Sequence, residues 1–203
     1  MARKCVLLLL LVFGLVWGRA SADSEFWLAP TLQKPIKEGL AINLIPEIRV
    51  RNNLSDLYYL RLYLGPAFQL NKNWGLNVYY APNYVKSGSY WTSLYYLDAV
   101  YNLPLPWLVF NNRARFEYDA TPQVLKYRDQ FLFSRNGWFA ADELFYNLNR
   151  GYFDEGRSFI GYTFKVRDKI DLSLGYLWRR QKASPAADWV RTGAFNVGAK
   201  IVY

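Results

Sequence analysis

Arginines and acids recur at every second position in several stretches of this chain. Arg113, Arg115 and Glu117 are spaced by two, as are Glu47, Arg49 and Arg51, and Lys126 and Arg128. Arg61, Glu143, Arg157 and Arg179 stand among apolar and aromatic residues in the same way. A period of two puts such residues on one face of a β-strand. A face of guanidinium groups has two uses. It can grip carboxylates or phosphates through paired N–H donors, with tyrosines such as Tyr59, Tyr63 and Tyr79 stacking on sugar rings. It can also pair internally with Glu47, Glu117 and Glu143 across adjacent strands, filling and stabilising an enclosed interior.

Other chemistry is poorly supplied. The chain has no histidine, the usual base, proton shuttle and metal ligand. Its single cysteine, Cys5, lies at the N-terminus, so disulfides, thiolate metal sites and a Cys nucleophile are excluded. Asp142 and Glu143 are neighbours and point to opposite faces of a strand. Asp154 and Glu155 fall in an expected loop, Asn149–Gly156, as solvated acids or as ligands of cations bridging lipopolysaccharide. No residue set supplies a nucleophile with its base. The chain is read as non-enzymatic, with no catalytic residue, cofactor or metal.

The elements that would carry the charged faces begin after an export signal. Arg3 and Lys4 precede an apolar run from Cys5 to Trp17, and Ala20-Ser21-Ala22 is a small-residue cleavage site. The run is short for a membrane-spanning helix, and Cys5 precedes it, which excludes acylation after cleavage. Residues 1–22 are therefore read as a signal peptide and 23–203 as one domain. Removing Arg3, Lys4 and Arg19 from 25 basic residues leaves 22, against 16 acids. An exported basic chain has no use for nucleic acid; anionic lipid head groups or an anionic solute are the partners this balance suits.

The chain ends on a strand, and this is decisive for the fold. Phe195, Val197, Ala199, Ile201 and Tyr203 share one face, opposed by Asn196, Gly198 and Lys200. A closed membrane barrel needs such an ending, because its last strand must pair and leave no edge. The ending resembles the C-terminal signature of bacterial outer-membrane barrels. There it would serve as the assembly signal read by the barrel-insertion machinery.

Alternating strands recur upstream. Leu40–Arg51 places Ile42, Leu44, Ile48 and Val50 against Asn43, Glu47 and Arg49. Leu57–Leu70 places Tyr58, Leu60, Leu62 and Leu64 outward against Tyr59, Arg61 and Tyr63. Trp74–Tyr84, Trp91–Asn102, Trp107–Asp119, Leu125–Ser134, Trp138–Leu148, Arg157–Val166 and Ile170–Arg180 follow. Trp91, Tyr95, Leu97, Ala99 and Tyr101 give one of these its outer face, with Asp98 between. Pro35–Gly39, residues 71–73, 103–106, 136–137 and 167–169 are short turns, and Asn136-Gly137 is the strongest hairpin signal. Longer loops lie near 53, 87, 121, 152 and 184.

Glu25–Lys34 is an eleventh candidate strand interrupted by Pro30, either part of the wall or inside the barrel. An even count is expected, so the fold predicted is an all-β, transmembrane, antiparallel up-and-down barrel of about ten to twelve strands. Trp74, Trp91, Trp107, Trp138, Trp178 and Trp189 near strand ends suit an aromatic belt. A secreted soluble sandwich is the competing fold, and it has less need of so many tyrosines.

Several motifs resemble a bacterial outer-membrane barrel family, domain of unknown function 2490. They are Phe26-Trp27-Leu28, Pro46-Glu47-Ile48-Arg49, Arg113-Ala114-Arg115-Phe116-Glu117, Tyr127-Arg128, Asp142-Glu143-Leu144-Phe145, and Phe153-Asp154-Glu155-Gly156-Arg157 with Gly161-Tyr162. Their order along the chain carries the resemblance. It implies a barrel in the outer membrane, among lipid and lipopolysaccharide, and brings no catalytic residues.

Charges on a lipid face cost several kcal/mol near the midplane, so they are expected in the lumen. Arg49, Arg61, Arg113, Arg115, Glu117, Arg128, Glu143 and Arg157 form the expected lumen network. That network is either a closed structural interior or the lining of a narrow pore for anions or small acidic oligosaccharides. Eight to twelve strands leave little room once side chains fill them.

Overall fold

Residues 25–51, 56–88 and 90–203 are described by a computed structural model. The expected signal segment, residues 1–22, lies outside them. Eleven strands alternate along the chain: β1 (Glu25–Lys37), β2 (Leu40–Arg51), β3 (Asp56–Gln69), β4 (Trp74–Val85), β5 (Tyr90–Pro104), β6 (Val109–Asp119), β7 (Val124–Arg135), β8 (Trp138–Asn147), β9 (Tyr152–Arg167), β10 (Ile170–Gln181) and β11 (Val190–Val202). Each pairs with its sequence neighbours, and β1 pairs with β11 to close the barrel.

The seam departs from the expected pattern. The count is odd, and β1 runs parallel to β11, from Glu25 opposite Ala194 to Gln33 opposite Val202. The even, wholly antiparallel barrel is thus corrected to eleven strands with one parallel pair. Glu25–Lys37 is a wall strand paired on both sides. Its Pro30 is tolerated because the flanking pairs, Leu28 with Ile48 and Leu32 with Leu44, set it opposite Pro46 of β2. Setting the two residues that lack an N–H opposite each other confines the missing ladder donors to one position.

Some connections are shorter than expected, and the loop expected near residue 53 lies outside the described residues. β1 continues through Pro35 with a bulge, and only Glu38 and Gly39 turn. The expected loop Asn149–Gly156 shrinks, since β9 already begins at Tyr152. Leu103 and Pro104 belong to β5, and the following turn is closed by the Leu105 N–H donating to the Leu108 carbonyl at 2.8 Å. Asn136 (φ 50°) and Gly137 (φ 87°) form the two-residue hairpin with both φ positive, as the Asn-Gly pair requires. The longest described connection, residues 182–189, lies at the end opposite this hairpin.

Alternation sorts the side chains as the sequence implies. Leu62, Leu64, Val78, Phe116, Phe133 and Ile160 are exposed on the outer face. Inside, Tyr63, Tyr79, Ala81, Leu94 and Tyr96 pack as one buried cluster, and Trp27, Leu177 and Ala194 as a second. One residue changes side. A bulge opposite Arg49 and Val50 turns Tyr58 inward beside Tyr59, and its hydroxyl donates to Glu25 Oε2 at 2.7 Å. The expectation that Tyr58 meets lipid is therefore corrected.

The C-terminal residues lie where the sequence puts them. Phe195, Val197, Ala199 and Ile201 stand opposite Phe26, Leu28, Pro30 and Leu32 on the outside of the seam. Tyr203 donates its N–H to the Gln33 carbonyl at 3.1 Å, extending the closure by one residue.

Candidate functional site

The lumen charges form one connected network, set up by strand register. On β6 the period of two aims Arg113, Arg115 and Glu117 inward. Register sets Arg115 beside Arg128 on one side and Asp98 on the other. Each arginine turns from its like-charged neighbour to an acid beyond. Arg115 holds Asp98 through Nε at 2.5 Å and Nη2 at 2.6 Å. Arg128 donates to Glu117 and to Glu143, each at 2.9 Å. Such charge-assisted, two-pronged bonds are the strong ones.

Glu143 is the hub. It is 1% exposed. Its Oε1 also accepts from Arg113 Nη2 at 2.8 Å, and its Oε2 from Arg157 Nη1 at 3.5 Å. Arg157 reaches Glu155 at 2.5 Å, and Glu155 also accepts from Arg179 at 2.9 Å and Gln181 at 2.8 Å. Across the seam, Arg49 pairs with Glu47 at 2.5 Å, and its guanidinium carbon lies 3.7 Å from the centroid of the Trp27 ring. The expected pairings across adjacent strands thus occur, but Arg113 on β6 reaches Glu143 two strands away on β8, and Glu47 pairs within its own strand.

Arg61 is different. Among the described residues it makes no ion pair. Its Nη1 donates to the Tyr63 hydroxyl at 2.8 Å and to that of Tyr96, and its buried Nε has no hydrogen-bond partner. The rings of Tyr59, Tyr63 and Tyr96 lie 4.8, 5.4 and 5.6 Å from its guanidinium carbon. Glu47 stands opposite in register, and the Tyr63 hydroxyl bridges towards it at 3.0 Å.

All eight charged residues expected in the lumen face it. Two further acids belong with them. Asp98 is 1% exposed, and its inward direction is legible from the outer face assigned to its own strand. Glu155, expected in a loop, is corrected to a strand residue. The spacing of two between Glu155 and Arg157 is the signal that could have placed it, and β9, after a register shift that leaves Phe153 outside, carries Glu155 into the network. Asp154 is at the rim, paired with Lys126 at 2.9 Å. Asp142 faces outward, opposite to Glu143 as expected. Among the described residues, the acids face guanidinium groups and do not converge as metal ligands would.

The network fills the barrel. The side chains of Arg49, Arg115 and Arg128 are each 6% exposed, and that of Arg157 is 9%. Water scarcely reaches these groups, whereas the Arg113 side chain is 26% exposed.

Comparison with known proteins agrees with this architecture. A crystal structure titled as the NanC porin in a rhombohedral form superposes with a TM-score of 0.53 at 12% identity, covering 84% of this chain and 90% of that one. This shows a shared barrel fold. No curated protein matches the sequence significantly. The family described as "Protein of unknown function (DUF2490)" matches residues 24–191. The chain, with its charged lumen and closed barrel, therefore belongs to the DUF2490 family.

Proposed function

We propose that this protein is a bacterial outer-membrane β-barrel whose arginine-rich interior is a closed structural network rather than an open passage or a catalytic site. The observation that carries this reading is the burial of paired guanidinium groups in the lumen. A pore-lining arginine would be wetted, whereas Arg49, Arg115 and Arg128 are nearly sealed among acids and aromatic rings. Exposed aromatic and aliphatic residues around the wall support a lipid surround. The basic rim residues Arg51 and Lys86 would meet lipopolysaccharide phosphates. The outward C-terminal face through Phe195 to Tyr203 would be read by the insertion machinery.

A second reading is a narrow anion path, and Arg61 favours it. The lumen arginines Arg49, Arg113, Arg115, Arg128, Arg157 and Arg179 each pair with an acid. Arg61 is the buried one with no acid of its own. The structural neighbour is a porin, and small acidic oligosaccharides are the sharpest candidate solute for such a path. Single-channel recording of the refolded mature protein in a planar bilayer separates the readings. A folded, silent barrel is expected. Discrete anion-selective steps would overturn the closed-interior reading and favour the pore.

A further inference from the structure

Most of the outer wall is apolar, and one sector is not. The outward residues of β2 are Leu40, Ile42, Leu44, Pro46, Ile48 and Val50, and those of β3 and β4 are likewise aliphatic, aromatic or proline. Between β6 and β9 the outward set includes Asn112, Asp129, Asp142 and Ser158. Each alternates with an inward member of the network: Arg113, Arg128, Glu143 and Arg157 respectively. Each shares its face with exposed Phe116, Phe131, Trp138 or Ile160.

The two acids stand at mid-wall. Asp129 is the sixth of twelve residues in β7, and Asp142 is the fifth of ten in β8. Among the described residues the short-range donors to these acids are neutral, and Tyr127 also hydrogen-bonds Asp129. Asn112 Nδ2 donates to Asp129 Oδ1 at 2.7 Å, and Ser158 Oγ to Asp142 Oδ1 at 2.7 Å. Arg180 comes no nearer to Asp142 than 3.9 Å, and the Asp142 side chain stays 48% exposed. Hydrocarbon offers such groups neither hydration nor countercharge. Register sets Asp129 between the small Ala114 and Leu144, and Asp142 beside Phe131 and Ser158, with Ala140 two residues from Asp142 on the same face.

We infer that the outer face of β6–β9 is a lateral docking surface for a different membrane-embedded protein, one that sets a lysine, arginine or amide donor against Asp129 and Asp142. Charge complementarity selects this occupant over a second copy of the chain. The chain's own outward basic residues, Lys34, Arg135, Arg180 and Arg191, stand near strand ends. A two-fold dimer through this face would bring acids to acids. The inference rests on the outer-membrane reading above.

A photoreactive benzophenone side chain at position 144, which pairs in register with Asp129, tests it in intact cells, with the same group at position 78 of β4 as control. A heat-modifiable gel band checks that each variant is folded. The expected result is an adduct of position 144 with another protein, mapped to a peptide bearing a Lys, Arg, Asn or Gln inside its membrane segment. Its yield should fall about tenfold in Asp129→Asn/Asp142→Asn, the effect of losing roughly one charge-assisted hydrogen bond. Position 78 should label lipid alone. Lipid adducts alone at position 144, an adduct between two copies of the chain, or an unchanged yield in the double variant would each overturn the inference while leaving the membrane reading intact. Failure of position 78 to label lipid would overturn the membrane reading, and this inference with it.

Discussion

Glu143→Gln tests whether the lumen network holds the barrel together. The substitution keeps the shape and removes the charge. Arg128 retains Glu117 at 2.9 Å, and Arg157 retains Glu155 at 2.5 Å. Arg113 has Glu143 as its one ion-pair partner among the described residues, and its buried Nε already lacks an acceptor. The amide also turns a donor towards Arg157, where an acceptor stood. Removing one partner of a buried pair costs about 3–5 kcal/mol, because the remaining charge stays buried and uncompensated. The Arg113 side chain is 26% exposed, so the lower end of that range is expected here, measured by denaturant unfolding of the refolded barrel in lipid vesicles with tryptophan fluorescence. Arg113→Met, added to Glu143→Gln, removes the stranded guanidinium. The double variant should recover part of the loss, with a coupling of about 1–3 kcal/mol. A single variant within about 0.5 kcal/mol of wild type would refute the reasoning. So would strict additivity of the two changes.

Three further outcomes follow from the same geometry. Gly65→Ala should destabilise the barrel by about 3 kcal/mol or more, or block refolding, because an added Cβ would sit 1.8 Å from the Val78 carbonyl oxygen; an unaltered unfolding midpoint would contradict this. Cysteine at 116 should react with a lipid-phase maleimide, while cysteine at 115 should resist both that and a water-soluble one, because Phe116 is exposed outside and Arg115 is sealed inside; the opposite pattern means a register slip of one residue. Deleting Tyr203 should lower the assembled amount in the membrane more than the unfolding midpoint of the barrel that does assemble, since the deletion removes the terminal aromatic and just one closing hydrogen bond, to Gln33. Normal assembled levels would count against an assembly role for this end.

Period-two alternation carries direct structural information, which is why the facing of Arg113, Arg115, Glu117, Arg128 and Glu143 is legible in the sequence. Each lies within a strand; Arg115 and Glu117 have apolar neighbours on either side, and Arg113, Arg128 and Glu143 have an apolar one on one side. Legibility ends where the alternation is broken. The bulge that brings Tyr58 inward depends on the partner strand and leaves no local mark. Glu155 reads as a loop residue because Gly151, Asp154 and Gly156 surround it, although Gly156 gives room for the Arg180 side chain to cross the outside of β9. The opposition of Pro30 and Pro46 is a relation between two strands, and neither proline alone predicts it. Asp129 and Asp142 break the rule that charges turn inward, and a rule built on lipid contact fails where another surface replaces the lipid.

The parallel seam is supported by the side chains inside the barrel. Parallel pairing is slightly weaker per residue than antiparallel pairing, and β1 also carries a proline in its middle. The interior compensates from within. Trp27, inward on β1 and 4% exposed, lies against Arg49 from β2 at 3.7 Å, with Arg157 from β9 at 5.0 Å and Arg179 from β10 at 5.8 Å around it. Its ring nitrogen donates to Glu25 at 2.8 Å, and Tyr58 holds the same carboxylate from β3. Cation–π contacts of this kind are worth about 2 kcal/mol when desolvated. The first strand is thus clasped from inside by residues of four other strands, while Tyr203 latches its outer end to Gln33. On the closed-interior reading proposed above, opening the lumen to a solute would mean releasing the arginines that hold the seam, so that closure of the wall and of the interior would be one arrangement.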